Sequence, residues 1–230
     1  MEFDEWEPVY EAIRRDFGYD RDGDERARDV LASLTEPFDL ERLDAADGAT
    51  VAIAGAGPNL SDELDDAREA DVVFAASTAA DTLLEAGVGV DCMVTDLDKN
   101  PDTVRRLTER ETPVAVHAHG DNVAQLRAVV PGCRDDWVLP TTQVASRGPV
   151  RNLGGFTDGD RAAFLADHLG AARLRFVGWA FDDPSVGPTK ARKLEWAERL
   201  LHWLERRRGE RFDVLDGRRG SIETTPLPIE

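Results

Sequence analysis

The sequence predicts an α/β protein in which a mostly parallel sheet carries helices on both faces, preceded by a helical segment over residues 1–47. Three observations carry this reading. From residue 49 onward short apolar runs alternate with amphipathic stretches of helical length. Such alternation implies βαβ crossovers and a parallel sheet. The first 47 residues instead place Trp6, Val9, Tyr10, Ile13 and Phe17 at helical spacings, with Val30, Leu31 and Leu34 ending a second run.

The elements follow in order. Tyr19-Asp20-Arg21-Asp22-Gly23-Asp24 is a polar break between the two N-terminal helices. It lacks the full ligand series and closing Glu of a calcium loop and reads as a solvated turn. Thr50–Ala54 is then a strand and 59–69 a helix, and Val72–Ala76 is a strand followed by a helix over 78–86. Asp91–Thr95 leads to a helix over 101–110, with Pro101 suited to its first turn. Pro113–His117 leads to a helix over 121–130. Trp137–Thr141 and Arg173–Gly178 are further strands, separated by a helix near 158–169, and 189–207 is a long final helix. The expected organisation is thus an N-terminal helical segment, 1–47, and a Rossmann-like α/β domain, 48–230. The tail 221–230, with Pro226 and Pro228, reads as extended.

At 230 residues the chain is long enough for a substantial core, and its 41% hydrophobic content is ordinary for a globular protein. No apolar run approaches the roughly 20 residues that span a bilayer, and the acidic start Met-Glu-Phe-Asp-Glu does not read as a signal peptide. Two cysteines, Cys92 and Cys133, without metal spacing suit reduced thiols in a cytoplasmic protein. Charge is the unusual quantity, because 28 basic against 46 acidic residues give −18. A nucleic-acid partner bound by phosphate neutralisation is thereby disfavoured. The basic residues comprise 25 Arg and only 3 Lys, a pattern that suits a salt-rich cytoplasm. At molar salt the Debye length falls to about 3 Å, so self-repulsion is tolerable. The three lysines, Lys99, Lys190 and Lys193, each fall in or near a candidate site.

Candidate chemistry gathers at the carboxyl ends of successive strands, where ligands bind in open α/β sheets. Val94-Thr95-Asp96-Leu97-Asp98-Lys99-Asn100 places two carboxylates two residues apart. On a strand that spacing points both the same way, so Asp96 and Asp98 can converge on one Mg²⁺ beside a lysine suited to phosphate. Gly55-Ala56-Gly57-Pro58-Asn59-Leu60-Ser61 follows the first strand. It reads either as a tight βα turn or as a nucleotide loop, with backbone close to phosphate, free helix-terminal N–H groups and Pro58 in a first helical turn. It lacks the third glycine of a dinucleotide fingerprint and the Lys-Ser/Thr of a P-loop. Ser77-Thr78 either caps the next helix or lies on the same rim as that loop.

His117-Ala118-His119-Gly120-Asp121-Asn122 follows the fourth strand. No further His or Cys falls nearby to complete a zinc site. Asp121 or Asn122 either caps the following helix or, for Asp121, adds a third carboxylate to the cation site, with His119 contacting phosphate or the attacking group. Gln143 follows the fifth strand. Asn152-Leu153-Gly154-Gly155-Phe156-Thr157-Asp158 then reads either as a capped glycine turn or as a ligand-shaping loop. Lys190 and Lys193 lie on one face at the start of the final helix, where an anionic ligand would relieve their conflict with the helix dipole.

Taken together, Gly55–Leu60, Thr95-Asp-Leu-Asp98, His117–Asn122 and Asn152–Arg161, extended by Phe181-Asp182 and Thr189–Leu194, resemble the archaeal 6-hydroxymethyl-7,8-dihydropterin pyrophosphokinases, related in fold to the thiamin pyrophosphokinases. The resemblance covers roughly residues 48–205. Two positions depart from it: Lys99 stands where the thiamin enzymes carry Ser, and Trp179-Ala180 where a smaller, more polar pair is expected. The resemblance implies Mg²⁺-dependent transfer of diphosphate from ATP to the hydroxymethyl oxygen of a reduced pterin, releasing AMP, for a folate- or methanopterin-type cofactor. It implies a cation held by Asp96, Asp98 and Asp121, with His119, Lys190 and Lys193 at the transferred group. Gly55, Gly57, Pro58, Asn59, Ser77, Thr78 and Asn122 are the expected nucleotide contacts. Gln143, Asn152, Gly155, Phe156, Thr157 and Asp158 are the expected substrate contacts.

A thiamin pyrophosphokinase is the enzymatic alternative, and a non-catalytic nucleotide-binding protein the alternative of another class. A dinucleotide oxidoreductase is disfavoured by the missing glycine and by the lack of an acidic residue closing the strand 72–76. The large apolar residues of the N-terminal helices leave two expectations open, pairing of two copies or coverage of one sheet edge.

Overall fold

Residues 1–229 are described by a computed structural model. Among them six strands, β1 (Thr50–Ala54), β2 (Val72–Ala76), β3 (Cys92–Thr95), β4 (Val114–Ala118), β5 (Val138–Thr142) and β6 (Arg173–Val177), form one parallel sheet in the order β5-β4-β3-β2-β1-β6. The chain walks outward from β1 to β5, then returns across the sheet to add β6 on the other side of β1. Pro140 fits this arrangement because β5 is an edge, where no neighbour needs the missing N–H on the outer side.

Alternation of side chains within the strands splits the core into two layers. Val51, Ile53, Phe74, Cys92, Val94, Ala115 and Leu139 face one side, and Ala52, Ala54, Ala75, Met93, Val116 and Val138 the other. Helices α1 (Phe3–Phe17), α7 (Asp158–His168) and α8 (Pro188–Arg208) cover the first face. Helices α2 (Arg21–Ala32), α3 (Leu64–Arg68), α4 (Ala79–Glu85), α5 (Pro101–Glu109) and α6 (Val123–Val129) cover the second. Trp6 of α1 is fully buried, stacked on Trp203 with ring centroids 6.4 Å apart and edge-on to Phe164. The large apolar residues of the first helix are therefore spent inside the chain, and no large hydrophobic side chain is exposed among the described residues.

Several local expectations change. The helix expected over 59–69 is a 3₁₀ turn, Leu60–Asp62, followed by the short α3, and Pro58 stands in a turn before it rather than in a first helical turn. The polar break after α1 is short, because Asp20 caps α2 by accepting hydrogen bonds from the backbone N–H groups of Asp22 and Gly23. Asp24 is not solvated but 2% exposed. Pro101 does open α5, and Cys92 is buried in the strand layer. In the tail, Leu227 is buried and Ile222 packs against the first core layer.

Candidate active site

Because α1 and α2 lie on opposite faces of the sheet, the chain joining them must cross its rim. It crosses at the carboxyl ends of the strands, and Tyr19 and Asp20, with Gly23, Asp24 and Arg26 from the start of α2, become one wall of a cavity of about 640 Å³. The loops after β1, β2, β3 and β4 supply the floor, and the starts of α7 and α8 the opposite wall. This volume lies within the usual range for small-molecule sites.

Asp96 and Asp98 both line the cavity, though not through strand alternation. β3 ends at Thr95, and the two carboxylates lie in a turn whose middle residue, Leu97, adopts the left-handed φ of 67°. Leu97 N–H donates to Thr95 Oγ1 at 3.0 Å and Asp98 N–H to Asp96 Oδ1 at 3.2 Å, which fixes the turn. A branched residue with positive φ is costly and persists only where its surroundings enforce it, as at functional sites. Here Leu97 is buried in the second core layer.

Burial would raise the Asp96 carboxyl, but the His119 imidazole, 3.4 Å from Oδ2, and the charge of Arg161 hold it well below the usual carboxylate range. Burial and the neighbouring Asp96 push Asp98 up. Two adjacent carboxylates, one resisting ionisation because of the other, are a donor set that a hard divalent cation would stabilise. Asp121 lines the same cavity but is exposed, and among the described residues no three His, Cys, Asp or Glu side chains converge as a metal site. The expected three-carboxylate cluster is not formed. Mg²⁺ commonly takes one or two carboxylates and completes its shell with phosphate oxygens and water, which suits the pair that is present.

The glycine loop has a different basis from the one the sequence suggested. Gly55 N–H donates to Val177 O and Gly57 N–H to Gly178 O, each at 2.8 Å, so neither amide is free for phosphate. A Cβ on Gly55 or Gly57 would lie 2.7 or 2.5 Å from the Gly178 carbonyl oxygen. Both glycines are therefore required by interlocking of the loops after β1 and β6, while Gly55, Ala56 and Gly57 still line the cavity. Asn59 belongs to the same lock, donating to Glu63 at 2.7 Å and to Trp179 O at 3.3 Å. Trp179, unexpected in size, fits because Gly159 leaves room for its ring edge and Ile53 O accepts its indole N–H at 2.9 Å.

Ser77 and Thr78 line the cavity without capping α4 through their side chains. Ser77 has a left-handed φ of 49°. Asn122 is 2% exposed and sits behind the site: its Nδ2 donates to Asp96 O and His117 O, and its Oδ1 accepts from His119 N–H. It fastens the β3 and β4 loops together instead of facing the cavity. His119 lines the cavity, whereas His117 is buried beneath it, with Nδ1 3.1 Å from Thr141 Oγ1, and burial and Arg161 hold its pKa well below the usual value.

All three lysines line this one cavity. Lys193 is lowered by burial and by the charges of Arg161 and Lys190, and its ammonium lies 5.8 Å from the centre of the Phe156 ring. Asp158 and Arg161 open α7 and pair at 3.0 Å. Burial, reinforced by the charge of Asp96, pushes Asp158 up to about 7. Thr157 and Asp160 form a reciprocal cap that locks this helix start. Gln143, Phe156 and Thr157 also line the cavity. Gly155 and Asn152 do not: a Cβ on Gly155 would meet Arg161 Cα at 2.6 Å, and the Asn152 amide is spent on Val144 O and Gly154 N–H.

Sequence reasoning misses Tyr19 and Asp24 as lining residues, places Arg161 only within the Asn152–Arg161 motif without a role, and treats Trp179 only as a departure from the resemblance. For Arg161 the i, i+3 spacing from Asp158 was an available signal. For Asp24 none existed, since its partners are distant in the chain.

A family model described as "6-hydroxymethylpterin diphosphokinase MptE-like" matches residues 28–185. Proteins named 6-hydroxymethyl-7,8-dihydropterin pyrophosphokinase are similar over most of the chain. That of Pyrococcus furiosus is 38% identical over 89% of this chain and 95% of its own length. That of Methanothermobacter thermautotrophicus is 37% identical over 90% and 96%. That of Methanocaldococcus jannaschii is 31% identical over 89% and 96%. With Gly55–Leu60, Thr95–Asp98, His117–Asn122 and Asn152–Arg161 all inside residues 28–185, and similarity to the named relatives extending over most of the chain, the chain belongs to the MptE-like family of 6-hydroxymethylpterin diphosphokinases.

Proposed function

We propose that this protein transfers diphosphate from ATP to the hydroxymethyl oxygen of 6-hydroxymethyl-7,8-dihydropterin, releasing AMP. The observation that carries the reading is the gathering of Asp96, Asp98 and the chain's three lysines in one cavity whose other wall offers an aromatic ring and an amide. Phosphoryl transfer asks chiefly for positioning and charge stabilisation. Lys190, Lys193 and Arg161 supply positive charge from the starts of α8 and α7. Asp96 and Asp98 would hold Mg²⁺, which when bound neutralises charge on the phosphates. His119, whose imidazole lies 3.4 Å from Asp96 Oδ2, orients that carboxylate and faces the transferred group. Phe156 offers a ring for the flat heterocycle, and Gln143, Thr157 and Asp158 offer polar groups for its edge. With the Gly55 and Gly57 amides spent on the loop after β6, the cationic side chains are the main phosphate contacts in this reading.

No described helix is long and apolar enough to cross a membrane. Both cysteines are free, which suits the reducing, salt-rich cytoplasm that the composition favours. The test is to incubate the protein with ATP, Mg²⁺ and either the hydroxymethyl dihydropterin or thiamine, and to separate the nucleotide products. AMP should form only with the pterin. ADP would reject diphosphate transfer, and equal turnover of thiamine would favour a thiamin pyrophosphokinase.

A further inference from the structure

The first turn of α2 contributes a carboxylate, Asp24, that the mechanism above leaves unused. Asp24 is 2% exposed and accepts three hydrogen bonds from three separate parts of the fold. Its Oδ1 accepts from the backbone N–H of Gly120 at 2.7 Å. Its Oδ2 accepts from Tyr10 Oη at 2.7 Å and from Gln143 Nε2 at 2.8 Å. Gly23 packs directly against Gly120, where a Cβ on Gly23 would lie 3.3 Å from Gly120 Cα. Burying a carboxylate is expensive unless its lone pairs are satisfied. Anchoring two helices would not demand one, because apolar packing does this at no such cost.

What a carboxylate does that an apolar group cannot is to accept only. The two ends of the Gln143 amide are nearly the same in shape, so an unpartnered amide can turn either end toward the cavity. Asp24 takes the NH₂ end, which turns the oxygen end of Gln143, a cavity-lining residue, toward the buried His117 and the cavity. That oxygen complements the ring N–H and amino donors on the edge of a pterin. Through Gly120 the same carboxylate grips the loop that carries His119 and Asp121.

We propose that Asp24 is a positioning residue that orients the Gln143 amide for the heterocycle while holding the His119–Asp121 loop at the rim. The proposal rests on the reading of the cavity as a pterin diphosphorylation site. It makes the N-terminal helices part of the recognition machinery rather than an appendage.

Asp24→Asn is the informative variant because it is isosteric. Its oxygen retains the Gly120 bond and Tyr10 can rotate its hydroxyl, but its NH₂ now meets the NH₂ of Gln143, which must turn over. The KM for the pterin should rise about tenfold, the loss of one well-placed hydrogen bond. The KM for ATP and the unfolding midpoint should stay near wild type. Adding Gln143→Glu to Asp24→Asn should restore the pterin KM, since the new amide can donate to the new carboxylate and an acceptor again faces the cavity. An unchanged pterin KM in the single variant, or a loss in both substrates that the second substitution fails to rescue, would overturn the proposal. If the wild-type protein itself ignores the pterin, the functional reading fails instead. The exchange rate of the Gln143 side-chain NH₂, followed by NMR, then decides the role of Asp24 alone. Slow exchange that becomes fast in Asp24→Asn supports it, and identical rates in both proteins refute it.

Discussion

Asp96 reaches the cavity by a geometry that its spacing in the sequence does not disclose. The pair of carboxylates was visible in the sequence, but the geometry invoked for it, alternation along a strand, is replaced by a turn with Leu97 at φ 67°. Local spacing cannot reveal a left-handed residue that only burial in the core sustains. Asn122 and Asn152 show the opposite failure: each has the right chemistry for a ligand, and each spends it on backbone behind the cavity. Replacing Asp96 by Asn should leave the fold intact, as followed by circular dichroism, and lower AMP formation by roughly 10²–10³-fold, the usual consequence of removing one preorganised electrostatic group. A non-catalytic nucleotide-binding protein would show no such loss. Gly57→Ala tests the loop lock rather than the chemistry. Its methyl would lie 2.5 Å from the Gly178 oxygen, so urea denaturation should show a loss of about 1–3 kcal/mol.

At the level of elements, strand and helix alternation was fully legible, and most boundaries fell within two residues of their expected places. The exception is the segment after β1, where Pro58 and the Gly57–Gly178 contact draw the chain into turns before α3 begins. The start of α7 is the element on which the site most depends, because Asp158 and Arg161 both stand on it. Asp160 accepts from the backbone N–H groups of Phe156 and Thr157 and from the Thr157 hydroxyl while fully buried.

Asp160→Ala should therefore cost about 2 kcal/mol in chemical denaturation, since buried donors lose their acceptor. At the far end of α8, Glu205 is 4% exposed and accepts from Phe212 N–H at 2.7 Å and from Arg219. Burial opposes its ionisation, but Arg219 and the Phe212 amide together hold its pKa below the ordinary 4.5. A carboxyl depressed in the folded state stabilises fully above its unfolded value and loses that contribution as pH falls through the folded one. Glu205→Gln should accordingly destabilise at neutral pH by about 1–3 kcal/mol. The difference from wild type should shrink as pH drops below about 4.5 and vanish in stronger acid.

For the whole molecule, the sequence disclosed class and charge but not assembly. Nothing local indicates that α1 and α2 take opposite faces, yet that choice carries Tyr19 and Asp24 to the rim and makes residues from the first helical segment part of the cavity. The placement of β6 beside β1 was equally hidden, and it explains the close approach of Gly55 and Gly57 to Gly178. A net charge of −18 makes the folded chain repel itself at low ionic strength. Its melting temperature should rise as KCl increases from about 0.1 M to 1 M, where the Debye length drops from about 10 Å to 3 Å. A melting temperature unaffected by salt would remove the argument for a salt-rich setting.

The central claim is that Asp96 and Asp98 hold a divalent ion against the phosphates of the nucleotide. Mn²⁺ titrated into the protein with a non-hydrolysable ATP analogue, with free Mn²⁺ followed by electron paramagnetic resonance, tests it directly. Wild type should bind the ion more tightly than the analogue alone does, and both Asp96→Asn and Asp98→Asn should reduce binding to that of the free analogue. Equal Mn²⁺ binding by wild type and both variants would contradict the account.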